Sequence, residues 1–241
     1  MANTLQTTLN YVAQFIYGQA ISSQTGNEPA ISIASMIRNS FLGAPMTWAF
    51  NRAEDSSQST TVGNQDYTYN IATFGFLEKV SLTDAGGKIW EIKDIYNSLP
   101  LSKTGSIAAQ QQRPSAVAVI AFTPGTSFKI RFMGAPDAIY TINLTYQTAP
   151  VQFAALSDGW APIPDSYSDI YNNLFLGEAF AVVDDARAQL YRQRGVAAFL
   201  AKAEGLTDTQ KNIFAQQWLA ASKEQASAML KSQQAVQARG I

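Results

Sequence analysis

Between residues 64 and 147 the apolar and polar positions alternate with a period of two. Phe74, Phe76, Val80 and Leu82 are interleaved with Gly75, Leu77, Lys79 and Ser81. The turn residues Ala85-Gly86-Gly87 lead into Ile89-Trp90-Glu91-Ile92-Lys93. Val117, Val119 and Ala121 belong to a nearly continuous apolar run that Pro124-Gly125 closes. Phe128, Ile130 and Phe132 alternate with Lys129 and Arg131, and Tyr140, Ile142, Leu144 and Tyr146 with Thr141, Asn143 and Thr145. Successive side chains of a strand point to opposite faces, so the pattern predicts half-buried strands. The short Gly/Pro connections predict an antiparallel meander.

On either side the period becomes helical. Leu5, Leu9, Val12 and Ile16 predict a helix over 4–17 with Asn3 or Thr4 as its cap. Ala30, Ala34, Ile37 and Phe41 mark a second helix, with Asn27 as N-cap, Pro29 in the first turn, and Gly43 and Pro45 at its end. Residues 46–52 read as a strand leading out of the helices, and 53–63 as a polar loop. Residues 97–115 form a long polar insertion in the meander, of the kind that serves binding or interface roles. After a connector over 150–164, Ser166 and Asp169 have capping-box spacing ahead of a helix carrying Ile170, Leu174 and Phe180. Asp184 and Asp185 are placed to cap the next helix. Thr207 and Gln210 then open a long helix carrying Ile213, Phe214, Trp218, Leu219, Met229 and Leu230. Beyond Ala220 its apolar positions thin out, and a segment of that composition needs a partner surface to be ordered. The fold class is therefore α+β. A helical bundle of residues 1–45 and 164–241, with 221–241 as a docking arm, carries an inserted antiparallel β-sandwich or barrel-like domain over 46–163.

Composition narrows the chemistry. The 241 residues are 46% hydrophobic and 15% charged, which supports a core and argues against disorder. A net charge of −1 gives no global attraction to nucleic acid or an anionic membrane. The chain has no Cys and no His, which excludes disulfides, zinc-thiolate sites, thiol catalysis and the Ser-His-Asp triad. Met1-Ala2-Asn3-Thr4 lacks the basic start of a secretory signal, and no apolar run is long enough to span a bilayer, so synthesis in the cytoplasm is expected. A surface rich in Ser, Thr, Gln, Asn and Ala packs against copies of itself at little desolvation cost.

The individual motifs point the same way. Gly86-Gly87-Lys88 lacks the upstream Gly and following Ser/Thr of a phosphate loop and reads as a hairpin turn. Asp165, Asp169, Asp184 and Asp185 sit at predicted helix starts, where carboxylates cap N–H groups. Glu78, Lys79, Glu91 and Lys93 suit cross-strand pairing. Arg187, Arg192, Arg194 and Lys202 read as a solvated basic helix face. No catalytic, metal-binding or cofactor-binding set emerges, so no enzymatic activity and no cofactor are expected.

Several short motifs together resemble structural proteins of tailed bacteriophages. They are the helix pair leading into Trp48-x-Phe50-Asn51-Arg52, then Gly63-Asn64-Gln65-Asp66-Tyr67 and Phe74-Gly75-Phe76-Leu77-Glu78. Tyr140-x-Ile142-x-Leu144-x-Tyr146-Gln147, Ile163-Pro164-Asp165 and Asp184-Asp185-Ala186-Arg187 complete the set. The layout is similar to head-to-tail adaptors, also called head-completion or neck proteins. That resemblance implies a homo-oligomeric ring, typically of twelve copies, located at the neck of the virion after assembly in the host cytoplasm. Its partners would be the portal protein, a downstream tail or nozzle protein, and double-stranded DNA passing through without specific binding; no membrane is involved. Trp218, Met229, Leu230, Val236 and Ile241 are the expected portal-docking residues. Asp55, Gln58, Gln110, Gln111, Gln112 and Arg113 are the expected ring-interface or channel-loop residues. Alternatives from other classes are a phage tail-tube, terminator or head-decoration protein, and a carbohydrate-binding β-sandwich using Trp90, Trp160 or tyrosines as platforms. A carboxylate glycosidase would need two acids facing each other across a cleft.

Overall fold

The computed structural model describes residues 3–16, 21, 25–97 and 111–219. The protein is a mixed α+β chain that divides into two compact units, Met1–Met46 with Val151–Ile241, and Thr47–Pro150. Described helices are α1 (Leu5–Val12), α2 (Ala30–Leu42), α3 (Ser168–Val182), α4 (Ala188–Lys202) and α5 (208–219). No described helix is long and apolar enough to cross a membrane.

In the helical unit α3 packs on α1, α2 and α4. Phe41 of α2, Phe199 of α4 and Phe214 of α5 form an aromatic centre, with Phe199 and Phe214 stacked at 3.6 Å and Phe41 edge-on to both. The segment expected to close the β-domain, 151–163, belongs to this unit instead, with Phe153, Trp160 and Ile163 buried in it. Trp160 is fully buried, stacks on Tyr171 at 4.2 Å and donates its indole N–H to Thr8 Oγ1 at 3.0 Å. The buried Arg38 of α2 donates to the carbonyls of Val151 (2.8 Å) and Gly159, and its guanidinium lies over the Phe153 ring.

The helix starts divide by how local their capping is. Thr4 and Thr7 form a reciprocal capping box on α1, as do Thr207 and Gln210 ahead of α5. Asn27 does not cap α2: it sits at φ 62°, and the Glu28 carboxylate accepts the Ser32 N–H at 3.1 Å. Ser166 and Asp169 form no box, since a 3₁₀ turn over Asp165–Tyr167 intervenes and Asp169 pairs with Lys202 at 2.5 Å. Asp185 accepts the Arg187 N–H at 2.8 Å and pairs with that arginine's side chain.

The described residues of the second unit form eight strands: β1 (Arg52–Ser59), β2 (Asp66–Tyr69), β3 (Phe74–Thr83), β4 (Ile89–Ile92), β5 (Asp94–Tyr96), β6 (Ala116–Thr123), β7 (Ser127–Met133) and β8 (Thr141–Thr148). They form two four-stranded sheets, β1-β8-β3-β4 and β2-β7-β6-β5, and neither closes into a barrel. Every pairing is antiparallel except β5 with β6. β4 and β5 are separated only by Lys93, so one stretch of chain leaves the first sheet and joins the second. Both sheets feed a single core that includes Tyr69, Phe74, Val80, Leu82, Val117, Phe128, Ile130, Ile142 and Leu144. Phe74 of the first sheet stacks on Phe128 of the second at 3.6 Å.

Two expectations fail around β1. Residues 46–52 are not a strand, because a 3₁₀ turn over Ala49–Asn51 interrupts them. The polar run over 53–63, read as a loop, contains most of β1. It pairs along β8 from Arg52↔Gln147 to Ser59↔Thr141, and as an edge strand half open to water it does not need an apolar sequence. At its base Gln147, fully buried, exchanges two hydrogen bonds with the Trp48 backbone (3.2 and 3.1 Å) and donates to Glu78 Oε2 at 2.6 Å. Asn51 Nδ2 donates to the Thr148 carbonyl at 2.9 Å.

Close approach of α3 and α4 depends on two glycines. A Cβ on Gly177 would stand 3.0 Å from the Arg192 amide nitrogen and 3.1 Å from the Ala188 carbonyl oxygen, and one on Gly195 would stand 2.6 Å from Leu174 Cδ2. Gly177→Ala is expected to lower stability by about 1–3 kcal/mol in denaturant titrations, although alanine favours a helix by about 1 kcal/mol, because backbone must move to admit the methyl. Unchanged or raised stability would show that the helices part freely.

Candidate functional site

Two surfaces are candidates for interaction, one in each unit, and only the first gathers residues to which the sequence assigns such a role. The first is the end of the β unit opposite the chain crossings. Hydrogen bonds from Thr60 N to Tyr140 O (2.8 Å) and Gly63 N to Pro136 O (2.9 Å) tie the end of β1 to the approach to β8. Gln111 bridges Ala135, and the Gln112 N–H donates to the Ala135 carbonyl at 2.8 Å. Gly134 adopts φ 103° there, with the Gln112 side chain packed against it. The Arg113 guanidinium lies 3.5 Å from the centre of the Trp90 ring, which draws the β3–β4 hairpin into the same cluster. The hairpin turn is built as expected: Gly87 supplies φ 80°, and Asp84 accepts the Gly86 and Lys88 N–H groups, which holds its carboxyl below the usual range.

This end displays Val62, Ile89 and Ile139, which are 47%, 68% and 68% exposed. The sequence reading missed all three, because four separate segments meet only in the folded chain. Gln111, Gln112 and Arg113 are exposed here, whereas Gln110 lies outside the described residues. Asp55 and Gln58 do not join them, since both lie along β1. Asp55 accepts from the Ser57 N–H and hydroxyl, and Gln58 Nε2 donates to the Thr68 carbonyl at 2.5 Å, tying β1 to β2 of the other sheet.

The second surface is a groove of about 460 Å³ in the helical unit, between α2 and α5. Ser32, Met36 and Asn39 form its α2 wall, Ile213 and Gln217 its α5 wall, and Ser35, Ser40 and Met46 are also at its lining. Met36 and Ile213 are each 40% exposed despite their apolar side chains. Asn39 accepts a hydrogen bond from Gln152 at 3.0 Å along one rim. Among the described residues, no side chain lining the groove is charged. Trp218, assigned to docking from the sequence, is buried and packs toward Phe214, and its indole N–H has no partner among the described residues. Met229, Leu230, Val236 and Ile241 lie outside the described residues.

Elsewhere several charged side chains are engaged with one another. Arg192, expected on a solvated face, is buried and pairs with Glu178 of α3 at 2.6 Å. Arg52 pairs with Glu78, Lys79 with Glu91 at 3.2 Å, and Arg187 with Asp185. Trp160 is buried, and the Trp90 ring is engaged by Arg113 and by Lys88 Nζ at 3.9 Å, so neither indole offers a bare platform for a sugar. No protein-family model matches the chain, and no curated protein matches its sequence.

The densest ionic cluster is on β2 and β7, where Asp66 accepts two hydrogen bonds from Arg131 (2.6 and 2.8 Å) and pairs with Lys129 at 2.8 Å. Arg131 chiefly, with help from Lys129, draws the Asp66 carboxyl down to about 2. The folded-state pKa is depressed, so the associated stability is complete above the unfolded carboxylate value of about 3.9 and is lost as pH falls toward about 2. Asp66→Asn is expected to remove about 1 kcal/mol at neutral pH, once solvent screening is allowed for. It should also flatten the acid limb of stability over that window, as urea titrations across pH would show. An unchanged acid limb would assign the cluster no net stabilisation.

Proposed function

We propose that the protein is a structural component of a tailed-phage virion, a ring-forming connector that joins the portal to the tail and continues the DNA channel. In this reading the helical unit forms a bundle that carries the β unit as an inserted sandwich. The observation that carries the proposal is the division of the chain itself: an N-terminal helical segment and a C-terminal one form one unit, and a complete two-sheet unit is spliced between them. That is the layout implied by the motif resemblance.

The side-chain chemistry supports a mechanical role. The carboxylates of Asp66, Glu78, Asp169, Glu178 and Asp185 are committed to cations, and those of Asp84 and Asp158 to backbone N–H groups. None of these is left poised as an acid–base partner. The uncharged groove and the apolar end of the β unit are surfaces for protein contact, with other copies, the portal and a downstream tail protein as occupants. Electron microscopy of the purified protein, alone and mixed with portal-bearing phage heads, tests the proposal. Closed rings seated on the portal vertex are expected. A protein that stays monomeric and leaves the heads bare would overturn it.

The same reading sets the DNA behaviour. A channel wall must let DNA slide, and most of the described arginines are already paired with carboxylates, which reduces the described cations able to displace counterions from phosphate. Weak binding to double-stranded DNA with a shallow salt dependence is expected in a filter or anisotropy assay. Submicromolar affinity at physiological salt would contradict the connector role.

A further inference from the structure

We infer that the α2–α5 groove is the acceptor for residues 220–241 of a second copy of this chain, so that successive copies are laced tail to groove. The inference stands apart from the virion assignment, because it concerns only how copies of this chain meet.

Three observations select this occupant. The first is where the described chain stops. Leu219 follows two residues after Gln217, which lines the groove, and 220–241 continue from that point. The second is the absence of a turn in the sequence. From Leu206 to Arg239 there is no Gly or Pro, and the run is rich in Ala, Gln, Lys and Ser, which favours continued helix. To fill its own groove the chain would have to reverse immediately after Leu219, with no residue suited to the reversal. Continued as helix it leads away from its own groove toward another molecule. At about 1.5 Å per residue, 220–239 would span about 30 Å, longer than the roughly 20 Å of the 13-residue α2 that forms the acceptor wall.

The third observation is chemical match. The groove is uncharged, with hydroxyl and amide groups from Ser32, Asn39 and Gln217 around the exposed apolar side chains of Met36 and Ile213. Residues 232–238 are likewise uncharged, Ser-Gln-Gln-Ala-Val-Gln-Ala, and Met229, Val236 and the small Ala226 recur at helical spacing. An amphipathic helix laid in a two-helix groove places such residues on the apolar floor and its amides along the rim. Methionine on both sides tolerates imperfect fit. Donor and acceptor are different surfaces, so each contact leaves a free tail and a free groove, and the series ends only when it closes into a ring.

The test uses the full-length chain and two variants that change exposed or tail positions. Met36→Glu with Ile213→Glu disables the acceptor, and Met229→Lys with Leu230→Lys disables the donor. Sedimentation velocity should show the natural protein associating with rising concentration and each variant remaining monomeric. An equal mixture of the two variants should give a 1:1 dimer, because one supplies an intact tail and the other an intact groove. If the first acceptor variant does not fold, as judged by circular dichroism, Ser32→Arg with Asn39→Arg at exposed rim positions takes its place. Three results would overturn the inference: a natural protein that stays monomeric, assembly that persists in either variant, or a mixture that does not dimerise. Rings that persist without the tail contact would leave the connector reading intact and remove only the lacing.

Discussion

The β unit is spliced into the helical unit at two crossings, so its first and last strands must begin and finish side by side. Pairing of β1 with β8 meets that requirement, and buried polar groups secure it. Gln147 bonds to both backbone groups of Trp48 as another strand would, and its remaining amide hydrogen goes to Glu78. A buried amide with its partners in place specifies one register, whereas one left unpaired would cost about 1–3 kcal/mol. The helical unit meets the same requirement separately. Arg38 holds the returning chain by the carbonyls of Val151 and Gly159, and Gln152 bonds Asn39 of α2. Removing the guanidinium would take away the donor to both carbonyls, so the buried Arg38 is a polar clamp on the returning chain.

With each unit closed on itself, many of the described charged side chains are paired internally, and the α2–α5 groove is left uncharged and partly apolar among the described residues. Such surfaces discriminate by shape and amide pairing more than by long-range attraction. The groove fits that description, whereas the end of the β unit adds the exposed Lys88 and Arg113 to its apolar side chains. Association through the groove would depend weakly on ionic strength.

The sequence was most readable where burial imposes a period. β7 and β8 alternate because one face of each meets the shared core. β1 does not: Arg52 to Ser59 contains Ala53 as its sole apolar residue, and only its pairing with β8 makes it a strand. Caps closed within four residues, at Thr4 and Thr207, were readable; Asn27 and Ser166 carry equally good local signals but lose to Glu28 and to the turn before α3. The buried Arg192 looked like solvated charge because its partner, Glu178, comes from another helix. The candidate surfaces were least readable of all. The Arg113–Trp90 contact and the tying of Thr60 and Gly63 to Tyr140 and Pro136 depend on loops distant in sequence, and Met36 departs from the Ala30, Ala34, Ile37, Phe41 core stripe.

The divided helical unit also constrains the order of events during synthesis. Phe41 cannot meet Phe199 or Phe214 until the ribosome has produced all of 47–150 and much beyond, and at cellular rates the β unit alone takes roughly 5–20 seconds to make. In that interval the N-terminal helices wait with their apolar faces uncovered, in need of protection from chaperones or from the nascent β unit. Once the β unit folds, its adjoining termini turn a tether of about a hundred residues into a short one, which cuts the entropic cost of bringing the helices together. The inserted unit thus acts as an internal folding aid for the unit that encloses it.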